Sequence, residues 1–171
     1  TIHNLKFQGR WDKKEVQDIT GLPDYFFVPD KLEMFGDADL LKGGIVYADA
    51  ITTVSETYAE EIKTKFYGEN LDGLLTTRAK DLRGIVNGID YDVFNPMKDT
   101  YLDKHFSVRE LSGKVVNKRQ LQEKYGLAVD KDVMLIGIVS RLTKQKGFDL
   151  VAYVMEEMLS TMNVQVIVQG T

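Results

Sequence analysis

MLIGIVSRLTKQKGFDLVAYVMEEMLSTMNVQVIV, residues 134–168, decides the fold. Met134 to Val139 is a short, almost wholly apolar run, which predicts a strand. Phe148, Val151, Ala152, Met155, Leu159 and Met162 follow at helical spacing and predict an amphipathic helix. Val164 to Val168 is apolar again, apart from Gln165, and predicts a second strand. Strand, helix and strand in this order make one βαβ unit, whose two strands run parallel.

The same alternation extends towards the N-terminus. Ile51 to Val54 reads as a strand, Ser55 as the N-cap of the next helix, and Tyr58, Ile62 and Phe66 as its apolar face. A helical stretch from about Leu71 to Leu82 leads into a strand at Gly84 to Val86. The expected class is therefore α/β, with Rossmann-like parallel sheets flanked by helices. Between the two patterned regions, Asn95 to Gly113 has no period and carries Pro96, Asp99, Asp103, Ser107 and Gly113. An irregular stretch of that length is unusual within one compact domain. We expect residues 1–94 to be the last part of one α/β domain, 95–131 an interdomain connection, and 132–171 the start of a second domain. Both ends read as cut: Thr1-Ile2 resembles the end of a strand, and Gly170-Thr171 the first residues of a loop.

The chain has 171 residues, a net charge of −4 and no cysteine. A disulfide framework, a thiolate nucleophile and a cysteine metal site are thereby excluded, and a reducing cytoplasm is compatible. With only His3 and His105, a histidine-rich metal site is not expected. The acidic balance argues against nucleic acid and anionic membranes as partners. No apolar run approaches the ~20 residues that a membrane span needs. Glu60-Glu61 and Glu156-Glu157 lie on predicted helices and read as solvated faces, so no carboxylate pair suggests a hydrolase.

Three segments could carry chemistry. In Ser140-Arg141-Leu142-Thr143-Lys144-Gln145-Lys146-Gly147, three cations follow a strand and precede a helix. A helix N-terminus already carries about half a positive charge. The loop is either a solvated basic segment or an anion site, and a bound diphosphate would relieve the crowding of positive charge. Its spacing is not that of a P-loop. His3 and Asn4 end the first strand, where a histidine can simply satisfy backbone groups or can meet a polar ligand. Asn87-Gly88-Ile89-Asp90 is a turn signal, and Asn87 either only turns the chain or faces a ligand. Gly43-Gly44 interrupts a helical stretch at a cost of about 1 kcal/mol per glycine, and close backbone packing is the expected reason.

Together, TIHNLKFQG (1–9), LLKGGIVYADAITTVSETYAEEI (40–62), GLLTTRAKDLRGIVNGIDYDVFNP (73–96) and SRLTKQKGFDL (140–150) resemble the bacterial glycogen synthase and plant starch synthase family, in order and along the whole chain. Phe94 stands where many members have tryptophan. The resemblance implies the GT-B architecture, with two Rossmann-like domains and a sugar nucleotide, usually ADP-glucose in bacteria, between them. It implies a cytoplasmic enzyme that transfers glucose to an α-1,4-glucan acceptor with retention of configuration, without metal or other cofactor. His3 would lie beside the donor glucose, and Asn4 and Asn87 on the acceptor side. Arg141 and Lys146 would hold the diphosphate and stabilise the leaving nucleotide. The family's Lys-Thr-Gly-Gly-Leu and Glu-Pro-x-Gly-Leu motifs are not in this chain, so it is expected to be inactive alone and prone to self-association. Another retaining GT-B transferase, or a non-catalytic nucleotide- or glucan-binding module, is the alternative.

Overall fold

The computed structural model describes residues 1–171, which form two compact units, Thr1–Gly88 and Ile89–Thr171. In the first unit, β1 (Arg10–Trp11) leads into α1 (Lys13–Thr20). Asp12 caps α1 by accepting from the Lys14 and Glu15 amides, and Gly21 ends it in the left-handed region. A hairpin follows, formed by β2 (Glu33–Met34) and β3 (Asp37–Asp39). Its two-residue turn puts both Phe35 and Gly36 at positive φ, as a type I′ turn requires. The three strands make an antiparallel sheet in the order β1-β3-β2. This small sheet was not expected from the pattern.

The parallel part of this unit begins after α2 (Leu40–Tyr47), with β4 (Ile51–Thr53), α3 (Glu56–Glu61), α4 (Asp72–Thr77) and β5 (Leu82–Gly84). β4 pairs β5 in parallel, with Thr53 opposite Gly84. On the other side of β4, Ile2 forms a parallel bridge to Thr53. The bridge is reinforced by Ile2 N–H to Thr52 O at 2.6 Å and Thr53 Oγ1 to Ile2 O at 3.0 Å. Around this sheet Leu5, Ile62, Leu71 and Leu75 are fully buried. Ser55 caps α3 by accepting the Tyr58 amide, as expected. The helix is shorter than the pattern implied, because the chain turns after Glu61 and leaves Phe66 exposed. Leu82, expected at the end of a helix, instead opens β5; Ile85, one residue past it, still donates its amide to Thr53 O at 2.7 Å. Gly43 is buried because a Cβ there would lie 2.9 Å from Leu32 Cγ, whereas Gly44 faces open space.

In the second unit, α5 (Ser112–Lys124) precedes β6 (Met134–Val139), α6 (Phe148–Thr161) and β7 (Val164–Gln169). β6 and β7 pair in parallel along their whole length, from Met134 opposite Val164 to Val139 opposite Gln169. The βαβ unit is thus as the periodicity reads. On α6 the less exposed residues are Phe148, Val151, Met155 and Met158, while Ala152, Leu159 and Met162 point outward. The stretch 95–131, expected as a connection, lies within this unit and contains α5. The fully buried Gln122 ties that helix to the βαβ unit, donating to Gln165 Oε1 at 2.7 Å and Asp130 O at 3.0 Å. Gln165 in turn donates to Ala128 O at 2.7 Å. No helix is long and apolar enough to cross a membrane.

Candidate active site

In an open parallel sheet, ligands collect beyond the carboxyl ends of the strands. In the first unit Ile2, Thr53 and Gly84 stand side by side in register, so the segments that follow them leave from one edge. His3 follows Ile2 directly, and Asn87 lies three residues past Gly84. Strands sit about 4.8 Å apart, so the outer two of the three are separated by roughly 10 Å. The sheet therefore delivers His3, Asn4 and Asn87 to the same edge. His3 and Asn87 are exposed and Asn4 is half-buried. Asn4 Oδ1 accepts the Lys6 amide at 3.1 Å, and Asn4 O accepts the Phe7 amide at 3.3 Å. That turn fixes the asparagine and leaves its amide nitrogen free to donate. Leu5 is anchored below, with its backbone amide donating to the Tyr58 hydroxyl at 3.1 Å. His3 and Asn87 make no side-chain hydrogen bond, so their polar atoms are open to a ligand.

The close packing of this edge depends on Gly84. A Cβ there would lie 2.3 Å from Glu56 Cα and 2.5 Å from Ser55 O. The start of α3 can settle onto the end of β5 only because position 84 has no side chain.

In the second unit, Ser140 to Gly147 leaves the carboxyl end of β6. Ser140 N–H donates to Gln169 O at 3.1 Å and Leu142 N–H to Thr171 O at 3.0 Å, which ties the loop to the chain beyond β7. Gly170 permits this contact, since a Cβ would fall 1.8 Å from Ser140 O. A 3-10 turn, Lys144–Lys146, then leads through Gly147, at φ +74°, into α6. The first backbone bond of α6 runs from Val151 N–H to Gly147 O, so the amides of Phe148, Asp149 and Leu150 lie ahead of the ladder. Arg141, Lys144 and Lys146 are all exposed, and none forms an ion pair or a side-chain hydrogen bond. Asp149 is the only acidic residue in the first turn of α6. The loop thus pairs an uncompensated cationic surface with a helix N-terminus, which is the chemistry of an anion site.

The glycine contacts were missed in the sequence. Gly84 was read as the start of a strand and Gly170 as a loop residue. The available signal was a glycine at the carboxyl end of a strand in both units.

Residues 1–77 match the family described as the starch synthase catalytic domain. Over its whole length the chain is 60% identical to the glycogen synthase of Lachnospira eligens, covering 36% of that protein. It is 50% identical to the glycogen synthase of Thermotoga maritima, again over its whole length and covering 35% of that protein. Among solved structures, it resembles the catalytic domain of starch synthase IV from Arabidopsis thaliana bound to ADP and acarbose. The TM-score is 0.89 at 32% identity, over 98% of this chain and 35% of that one. The fold is that of parts of the two Rossmann-like domains of a GT-B glycosyltransferase. More narrowly, the chain is similar along its whole length to glycogen synthases, and its first 77 residues to the starch synthase catalytic domain. It spans about a third of the length of the curated relatives it matches.

Proposed function

We propose that this chain is part of a glycogen synthase. The enzyme transfers glucose from ADP-glucose to the non-reducing end of an α-1,4-glucan, with retention at the anomeric carbon. The observation that carries the reading is the unpaired Arg141 and Lys146 at the carboxyl end of β6, in a chain 60% identical throughout to a glycogen synthase. The starch synthase neighbour bound to ADP and acarbose supports a nucleotide donor and a glucan acceptor.

Cleavage of the bond between glucose and diphosphate leaves negative charge on the departing nucleotide. Arg141 offers a planar fork that binds two phosphate oxygens at once, and Lys146 adds a mobile point charge. Both stabilise the leaving group most where its charge is greatest, in the transition state. His3 is assigned to the donor glucose near the anomeric carbon, as a hydrogen-bonding partner at the reacting centre. Asn4 and Asn87 are assigned to hydroxyls of the acceptor. In this reading no metal or other cofactor is used, the enzyme works in the cytoplasm, and neither nucleic acid nor a membrane is a partner.

The test is steady-state kinetics in a protein of the relatives' full length that contains this chain. Arg141→Ala and Lys146→Ala should each lower kcat/KM by about 10²–10³-fold, the range for losing one preorganised donor. Lys144→Ala should change it much less. Near-unchanged kcat/KM for Arg141→Ala would remove the diphosphate assignment.

A further inference from the structure

His3 has no side-chain hydrogen bond within the protein, so its imidazole is placed through its backbone alone. Two side chains from elsewhere in the fold bond to the backbone on either side of it. Thr53, the last residue of β4 and fully buried, donates its hydroxyl to Ile2 O at 3.0 Å. Tyr58, on α3, accepts the Leu5 amide on its hydroxyl at 3.1 Å. Ile2 O lies in the peptide plane that enters His3, and Leu5 N in the plane that leaves Asn4. The His3-Asn4 step is thus gripped at both ends by hydroxyls.

A peptide unit is planar, and each residue adds only two soft torsions. With the outer planes held, His3 and Asn4 cannot turn freely, because any change must return the second plane to its place. Ile2 N–H, which donates to Thr52 O, and the turn closed by Phe7 N–H on Asn4 O hold the chain before and after the step. Ile2 and Leu5 are buried, whereas His3 is exposed and Asn4 half-buried. The fold therefore anchors the flanks and leaves the two polar residues at the surface. Tyr58 is fixed in its turn. Its amide donates to Ser55 Oγ at 3.2 Å, and its ring packs against the core around β4 and β5. Both hydroxyls come from one strand–turn–helix corner, the one that Gly84 admits against the end of β5. Packing alone would need the ring of Tyr58 and the shape of Thr53, but neither hydroxyl.

We propose that Tyr58 and Thr53 are positioning residues for glucose transfer, acting through His3 and Asn4. Their hydroxyls set where the imidazole meets the donor glucose and where the asparagine amide meets the acceptor. The proposal rests on the reading in which His3 and Asn4 touch the two sugars. Neither hydroxyl is assigned a contact with substrate.

The experiment is steady-state kinetics in a protein of the relatives' full length that contains this chain. Tyr58→Phe keeps the ring and should lower kcat by about 10–100-fold, the scale of a misplaced reacting group. KM for ADP-glucose should stay within about twofold, because the diphosphate contacts are untouched. Thr53→Val should act in the same direction, and Thr53→Ser, which keeps the hydroxyl, should restore most of the loss. In a His3→Ala background Tyr58→Phe should cost less than about threefold, since its effect passes through the missing imidazole, whereas a general loss of folded enzyme would multiply through. A kcat for Tyr58→Phe within twofold of wild type, full multiplication in the double variant, or Thr53→Ser no better than Thr53→Val would each overturn the proposal. Near-unchanged kinetics for Arg141→Ala would instead count against the transferase reading. An impaired Arg141→Ala beside an unimpaired Tyr58→Phe would sink the positioning role alone.

Discussion

Arg78 should be among the most costly side chains to remove from the first unit. It ends α4, but its guanidinium reaches the far end of α2. Nη1 donates to Ile45 O at 2.5 Å and Val46 O at 3.1 Å, and Nη2 to Ala48 O at 2.6 Å. Nε donates to Asp81 Oδ2 at 2.7 Å. The last carbonyls of any helix lack partners, and α2 has no basic residue in its own last turn. Arg78 therefore supplies from another helix both the missing donors and the positive charge that the C-terminal dipole favours. Its side chain is only 19% exposed.

Each hydrogen bond to a charged group contributes about 1.5–3 kcal/mol, but three on one guanidinium do not add, and water would reach some of the freed carbonyls. We expect Arg78→Ala to cost about 2–4 kcal/mol, with the buried Ile45 carbonyl suffering most. For a unit of this size about 1 kcal/mol moves Tm by 4–8 °C, so the melting point should fall by roughly 8–32 °C. The single tryptophan, Trp11, lies in this unit and reports its unfolding selectively in a thermal or urea transition. Two controls isolate the cause. Asp81→Ala removes only a partly exposed ion pair and should cost about 0.2–1 kcal/mol. Arg78→Lys keeps the charge but loses the planar fork, and should recover less than half of the loss. A shift below about 0.5 kcal/mol for Arg78→Ala, the range of an ordinary surface substitution, would refute the capping argument.

Gly84→Ala should destabilise the first unit by about 1–3 kcal/mol, because its Cβ meets backbone rather than a yielding side chain; a Trp11 transition matching wild type would contradict this. Asp39 is fully buried with Oδ2 unpartnered, and burial raises its pKa above the ordinary carboxylate range against the opposing influence of the Lys42 amide, Arg10 and Lys42. The folded state then holds the proton more tightly than the unfolded chain, so this contribution is fully present below the unfolded pKa and is lost as pH rises through the folded one. The difference in urea midpoint between wild type and Asp39→Asn should accordingly move in favour of the wild type on acidification from neutral pH; a flat difference would show that Asp39 ionises normally. The 171-residue chain, mixed with ADP-glucose and a glucan primer, should release no more ADP than its Arg141→Ala variant; turnover above that control would mean that one third of the relatives' length suffices for catalysis.

What was legible in the sequence followed the apolar period. Residues 134–168 have runs long enough for strand and helix to be told apart, and the basic loop between them stands out by charge alone. β1, β2 and β3 have only two or three residues each, too short to show alternation, so the small antiparallel sheet had no signature. α5 escaped for a different reason. Its buried positions are Gly113 and Gln122, not an apolar stripe, and Val115, Val116 and Leu121 on the same helix are exposed. A helix held by a buried amide, and by the Lys118 ammonium donating to Lys131 O and Val133 O, shows no apolar stripe in its sequence.

The two glycine contacts show how the candidate residues come to lie where they do. In each unit the glycine sits at the carboxyl end of a strand and touches backbone after the neighbouring strand: Gly84 against Ser55 and Glu56, Gly170 against Ser140. Any side chain at either position would lift the neighbouring loop away from the sheet. In the second unit that loop is the one that carries Arg141 and Lys146. In the first, the contact holds the β5 end, from which Asn87 departs, against the start of α3. The polar residues at each edge are thus positioned by an absence of side chains one strand away. A sequence records that absence as a glycine, but only the pairing register shows which loop it admits.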